Sequence, residues 1–451
     1  MKRHSYADLI AWKSSPRRKP LLLLGARQVG KTYLVREFGA NEFRRIHLFN
    51  FEAEADLVKS FERDLDPVRI LKELSFRVGA SIDPQTDLVF FDEIQSCPAA
   101  LTSLKHFHER LPVLAVCAAG SLLGTHLTPA SFPVGNVDIL RMYPLSFAEF
   151  VEARAEPHVI KVHRAALGGE APPSAAHQTL WDFWREYLVT GGLPEVVAKY
   201  IANHPGTPES FAEARMMQGR LITAYLADIA KHSGKVNAMH IERVWRAVPT
   251  QLAAVQDQST QRFGFKDVVP GIHSYGRLVS AIDWLSKAGL VLRLPICHHA
   301  ETPIAAFTKE NQFRLYMFDV GLLGAMLSLP PVALMGYGFG TYKGFLAENF
   351  VAQELVASRQ NASLFGWTEG SAEIEFLLQG SSGAVPVEVK SGQRVRAQSL
   401  RSYISKYKPA TSIIISGRES ALVKDSVTGC LQVSVPLYLV PTTWNFINCS
   451  T

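Results

Sequence analysis

Three uninterrupted apolar runs stand out early in the chain, at residues 21–24, 88–91 and 113–119. Runs this short, apolar at every position, suit strands covered on both faces, as in a parallel sheet. Residues 45–51 alternate between polar and apolar positions and read as a further strand. Helical spacing lies between these strands, over residues 31–38 and 54–79, with an interruption at Asp66-Pro67. Strands alternating with helices predict an α/β core, a doubly wound parallel sheet that takes its ligand at the carboxyl ends of the strands.

Beyond residue 150 the pattern lengthens. Residues 168–176 carry Gly, Pro and Ala and read as a surface loop. Helical spacing returns over 180–220, and 224–231 fits a helix with one apolar face. Two further helices are predicted at 241–252 and 274–288, the second closed by Gly289, then a strand pair at 290–294 and 313–318. The last part reads as a helix at 344–355, strands at 364–367, 373–378 and 385–390, a helix at 399–408 and a strand at 411–416. Strands 373–378 and 385–390 should form a hairpin.

The chemistry sits where the early apolar runs end. The first leads into Gly25-Ala26-Arg27-Gln28-Val29-Gly30-Lys31-Thr32-Tyr33, whose G-x-x-x-x-G-K-T spacing is that of a phosphate-binding loop. Gly25 and Gly30 let the backbone curl so that amide N–H groups point at phosphate oxygens, and the following helix adds its N-terminal positive charge. Lys31 is expected to reach the β- and γ-phosphates, and Thr32 to complete a Mg²⁺ shell. The second run ends at Asp92-Glu93. Asp92 is expected to hold the Mg²⁺ shell, and Glu93 to polarise the attacking water as general base. The third ends at Gly120-Ser121. Ser121 could orient that water or touch the γ-phosphate, or it could serve only as a turn residue or helix cap.

Composition adds bounds. A chain of 451 residues exceeds one core and implies about two to four domains. The net charge of +6 permits an acidic partner such as DNA without demanding one. The cysteines (Cys97, Cys117, Cys297, Cys430, Cys449) show no paired spacing, so neither a disulfide framework nor a zinc knuckle is indicated. No apolar run approaches the ~18 residues of a membrane helix, and Met1-Lys2-Arg3-His4 lacks a signal stretch. A cytoplasmic protein with no membrane partner is expected. The basic cluster at residues 13–19 reads as a solvated face.

Taken together, the phosphate loop, Phe90-Phe91-Asp92-Glu93-Ile94-Gln95, Gly120-Ser121 and the segment Tyr143-Pro144-Leu145-Ser146-Phe147-Ala148-Glu149-Phe150 resemble the archaeal-type AAA+ ATPases found widely in prokaryotes. Tyr187-Leu188-Val189-Thr190-Gly191-Gly192-Leu193-Pro194-Glu195 resembles the helical lid of that family, and the two helices with a strand pair resemble its winged helix-turn-helix. One departure is visible: the family often has Gly-Arg ahead of Pro-Leu-Ser-Phe, where this chain has Gly135-Asn136, with Arg141 at a different spacing. The resemblance implies a nucleotide-binding core at 1–145, a lid at 146–232, a winged helix at 233–330 and a C-terminal α/β domain at 331–451. It also implies ATP as the nucleotide, and homo-oligomers with an arginine supplied in trans.

In the C-terminal part, Glu375, Glu388 and Lys390 resemble the acidic-x(n)-Glu-x-Lys signature of the restriction-endonuclease-like fold, with Glu348 in the place of its auxiliary acid. Carboxylates so placed could hold a hard divalent cation, with the lysine positioning a nucleophile. Glu375 stands where that pattern usually has Asp. The expectation is an ATP-hydrolysing switch coupled to DNA binding by the winged helix and C-terminal domain. The alternatives are an ATP-regulated metal-dependent nuclease and a switch that binds only protein partners.

Overall fold

The four leucines form β1 (Leu21–Leu24), buried at every position. In this computed structural model, the residues described are 1–121, 133, 135–254, 262–336, 343–381, 383–392 and 398–447. Cys449 lies outside them. The chain divides into two units, Met1–Tyr143 with Lys287–Gly289, and Pro144–Ser286 with Leu290–Thr451.

In the first unit, β1 is joined by β2 (Arg45–Asn50), β3 (Asp87–Asp92), β4 (Ala115–Gly120) and β5 (Asp138–Arg141). The order is β2-β3-β4-β1-β5, and every pairing is parallel. The chain leaves β1 for one edge of the sheet and leaves β4, its neighbour, for the other. That reversal makes a crevice at their carboxyl ends, the place where open α/β sheets take ligands. Helices α1 (Ser5–Ser14), α2 (Lys31–Glu42), α3 (Pro67–Arg77) and α4 (Pro98–Arg110) complete the layers. Helix α3 starts at Pro67 because Asp66 caps it, accepting from Arg69 N at 3.2 Å. Residues 55–61, expected as α-helix, form a 3₁₀ segment instead. Its Phe61 joins Phe51, Phe91 and Phe107 in an aromatic cluster with centroids 5.6 to 6.1 Å apart, which fixes the end of β3.

The second unit holds a sheet of order β12-β13-β11-β10-β9-β8-β6-β7. Its strands are β6 (Val291–Cys297), β7 (Thr308–Met317), β8 (Leu364–Glu369), β9 (Ala372–Gly380), β10 (Gly383–Val389), β11 (Thr411–Ser416), β12 (Ala421–Lys424) and β13 (Leu431–Pro436). β6 and β7 pair antiparallel as expected, but β6 also runs parallel to β8 through Ile296↔Gly366. The strand pair is therefore the edge of one continuous sheet that reaches past residue 330. β9 and β10 form the expected hairpin, with Phe376 opposite Val387. The sequence pattern did not indicate β12, which is exposed at every position. The end of the expected loop at 168–176 also differs: the helix Ser174–Thr190 already begins there, after Pro172-Pro173.

The lid-like motifs turn out to be joints. Ser146 and Glu149 make a reciprocal capping box that starts the helix Phe147–Arg154. Asp319 Oδ2 accepts from Gly192 N at 2.7 Å, while a Cβ on Gly191 (φ +67°) would lie 2.2 Å from Asp319 Oδ1. The helix Lys343–Ser358, expected from its apolar spacing, also buries Glu348, Asn349, Gln353 and Glu354. Asn349 covers the outer edge of β7 by bonding both the N–H (2.7 Å) and the carbonyl (3.0 Å) of Met317.

Candidate nucleotide site

The phosphate loop leaves β1 at the crevice. Gly25 takes φ +152°, and a Cβ there would meet Met142 O at 2.2 Å, so no side chain fits. Gly30 (φ +94°) and Gln28 (φ +65°) carry the left-handed turns that curl the loop. Lys31 opens α2, is buried, and donates to the carbonyls of Gly25 (2.9 Å) and Ala26 (2.8 Å). Burial pulls its ammonium down to about 8, against the upward pull of Glu93 and Asp92. Val29 is fully buried, whereas Tyr33 is exposed and Arg27 reaches outward to Glu52 at 3.3 Å.

The tips of β3 and β4 meet this loop. Thr32 Oγ1 donates to Asp92 Oδ2 at 3.0 Å. Burial raises the Asp92 carboxyl, and Glu93 adds to the rise, while Thr32 opposes it. Glu93 holds φ +50°, a conformation that costs a glutamate of order 1 kcal/mol, and such outliers gather at functional sites. Its Oε2 accepts from Gln95 Nε2 at 2.5 Å and from Ser121 Oγ at 3.3 Å. The structure thus brings Lys31, Thr32, Asp92, Glu93 and Ser121 to one crevice. Hard oxygen donors at Thr32 and Asp92 suit Mg²⁺.

Arg3 escaped the sequence reading. It is 7% exposed, and donates to Val29 O at 2.5 Å and Tyr143 O at 2.8 Å. The only hint in the sequence is the apolar pair Leu9 and Trp12, which bury α1 and draw the terminus inward.

The C-terminal residues also converge. Lys390 Nζ lies 2.6 Å from Glu388 Oε1 and 3.8 Å from Glu375 Oε1. Glu375 Oε2 accepts from Val389 N at 3.1 Å. Burial, with Glu375 adding, pushes the Glu388 carboxyl up, while Lys390 opposes the rise. Arg314, a buried cation on β7 that the sequence reading did not single out, bonds Glu373 Oε2 (3.0 Å) and the Glu375 carbonyl (3.1 Å). Glu348 is buried on the helix Lys343–Ser358, and its charge acts on both Arg314 and Lys390. Among the described residues, no group of three or more His, Cys, Asp or Glu side chains is placed to hold a metal. Within the predicted set Glu388 holds the Lys390 ammonium, while the Arg314 guanidinium is held by Glu373 and by the backbone carbonyl of Glu375. No described helix is long and apolar enough to cross a membrane.

Residues 17–151 match a family model described as an AAA domain, and the first unit accordingly carries an AAA-type P-loop fold. Residues 182–333 and 343–438 match models described as domains of unknown function, DUF8612 and DUF4143. No curated protein matches the chain. Similar solved structures include the Walker-type ATPase PABY2304 of Pyrococcus abyssi, at 17% identity over 72% of this chain and 95% of that one, TM-score 0.46. ORC1 of Aeropyrum pernix, in complex with DNA, is 13% identical over 74% and 94%, TM-score 0.27. The Holliday junction branch migration motor RuvB of Thermotoga maritima is 13% identical over 65% and 90%, TM-score 0.31.

Proposed function

We propose that the AAA domain at residues 17–151 makes this chain an ATP-hydrolysing, nucleotide-controlled switch. The observation that carries the reading is the meeting of three strand ends: Thr32 bonded to Asp92 at 3.0 Å, with Glu93 beside it bonded to Ser121 at 3.3 Å. Lys31 would exchange its two loop carbonyls for phosphate oxygens. Thr32 and Asp92 would hold Mg²⁺, which when bound supplies charge neutralisation at the phosphates. Glu93, held by Ser121 and Gln95, takes a proton from the attacking water. The oxygen of that water bonds the γ-phosphorus, the bond to the bridging oxygen breaks, and ADP and phosphate result.

Phosphate release with Mg²⁺ and ATP tests this directly. Lys31→Ala should abolish binding, whereas Glu93→Gln should bind ATP and fail to turn over. Equal loss of binding in both would remove Glu93 as base.

For the second unit we propose a binding role, with DNA the first partner to try because the whole chain's net charge of +6 permits an acidic partner. Binding that weakens steeply between low and moderate salt supports phosphate contacts. Flat or absent binding leaves a protein partner. Homo-oligomer formation with ATP belongs to the same proposal, and sedimentation with and without nucleotide tests it.

A further inference from the structure

We infer that Arg3, which precedes the segment matched as an AAA domain, is a positioning residue for the nucleotide, setting the Val29–Gly30 peptide of the phosphate loop. The inference rests on the ATP-binding reading. Arg3 is buried, with Nη1 on Val29 O at 2.5 Å and Nη2 on Tyr143 O at 2.8 Å. A trans peptide points its N–H opposite to its C=O. Holding the Val29 carbonyl therefore turns the Gly30 N–H away from Arg3, as a backbone phosphate cradle requires. The loop needs such a brace, because Gln28 sits at φ +65°, a conformation that strains a non-glycine residue and persists only where its surroundings hold it.

The brace is itself anchored on the helix that the loop opens. Leu9 and Trp12 of α1 are buried, and the Tyr6 ring lies 5.7 Å from Phe38 of α2. Lys13 Nζ donates to Glu42 O at 2.5 Å and to Glu42 Oε2 at 3.0 Å. The other guanidinium nitrogen holds Tyr143, the last residue before the chain enters the second unit. Gly25, at the opposite end of the loop, abuts Met142 O. Both ends of the phosphate loop thus bear on residues 142–143. Two carbonyls gripped by one planar fork is a task for arginine that lysine cannot duplicate.

The test is equilibrium binding of Mg-ATP to the full chain, with kcat at saturating ATP, for wild type, Arg3→Ala, Arg3→Lys, Lys13→Ala and Lys31→Ala. Arg3→Ala should raise Kd about tenfold or more, the size of one lost charged hydrogen bond, while kcat stays within about twofold. Arg3→Lys should fall between. Lys13→Ala loosens α1 without touching the loop, and should lower the melting temperature while leaving Kd near wild type. An unchanged Kd in the Arg3 variants overturns the inference, as does an equal rise in Lys13→Ala, which would mean that docking of α1 is all that matters. If Arg3→Ala does not fold, Arg3→Lys decides alone, and a wild-type Kd there overturns the inference. A wild type that binds no better than Lys31→Ala removes the ATP reading, and this inference with it.

Discussion

Ser121 Oγ donates to Glu93 Oε2 across 3.3 Å, joining the tip of β4 to the tip of β3, two strands in parallel register. A carboxylate that must take a proton from water needs a fixed direction, and a hydroxyl at this distance supplies it. Ser121→Ala should therefore lower kcat by about tenfold with little change in KM, an effect felt only in the transition state. Glu93→Gln should lower kcat by about 100-fold to 10,000-fold, the range of a lost general base. Steady-state kinetics on both variants and the double variant decide the point. If Ser121 acts through Glu93, its removal adds nothing once Glu93 is gone.

Gly25→Ala places a methyl where Met142 O already stands, 2.2 Å away, and the partner is backbone that cannot swing aside. The loop must shift to make room. The expected outcome is loss of ATP binding by about 100-fold or more, since a displacement of ~1 Å costs that much in a tight site. The chain should stay folded, because the strain falls at the carboxyl end of β1 and not within the aromatic cluster around Phe91. Binding by titration, with circular dichroism as the check on folding, reads both halves.

What could be read from the sequence and what could not divide along a physical line. Gly25, Gly30, Lys31, Thr32, Asp92 and Glu93 could be nominated because phosphate chemistry asks for particular residues at particular spacings around strand ends, and apolar runs mark those ends; what the structure adds is that they share one crevice. Three of the five strands of the first sheet followed from the same runs and β2 from alternation, whereas β5 (Asp138–Arg141), too short and too mixed to stand out, did not. Glu375, Glu388 and Lys390 were also found, through hairpin alternation, yet their hydrogen bonds were not, since a pattern shows which face a side chain shares and not what it holds. Arg3, Asn349 and Asp319 were missed as functional or structural joints because each bonds backbone far away in sequence: Val29 and Tyr143 for Arg3, Met317 for Asn349, Gly192 for Asp319. A lone polar residue in a helix or terminus reads as solvated until its partner is known.

Gly191→Ala isolates one such joint. The position has φ +67°, and the new Cβ would lie 2.2 Å from Asp319 Oδ1. A backbone at φ +67° and ψ −165° is open essentially to glycine and costs an L-residue about 1–3 kcal/mol, and the displaced carboxylate gives up its bond to the Gly192 N–H besides. Stability of the second unit should fall by about 2 kcal/mol or more. Because the contact is steric, Asp319→Asn would not restore it. Urea unfolding of wild type and both variants makes the comparison.

Glu354 offers the cleanest pH signature. It is fully buried on the helix Lys343–Ser358, and its Oε1 accepts from the Phe147 N–H at 2.9 Å, with Glu149 and Tyr187 nearby. Burial raises its carboxyl from 4.5 to about 8, and Glu149 adds to the rise while the Phe147 bond opposes it. A group whose folded value lies above its unfolded value contributes stability that is complete below the unfolded value and is lost as pH rises through the folded one. The protein should therefore lose stability between about pH 4.5 and about pH 8 on account of Glu354, with a limiting slope of about 1.4 kcal/mol per pH unit. Asp319, raised by burial to about 6, slopes the same way, so absolute curves do not separate the two. The difference between wild type and Glu354→Gln does, since the amide oxygen can still accept from Phe147 and carries no proton to lose. Denaturant titrations at pH 5, 6, 7 and 8 should show the variant gaining on wild type as pH rises. A difference that stays constant across that range would mean that Glu354 titrates as an ordinary carboxylate, and that its burial is relieved in solution.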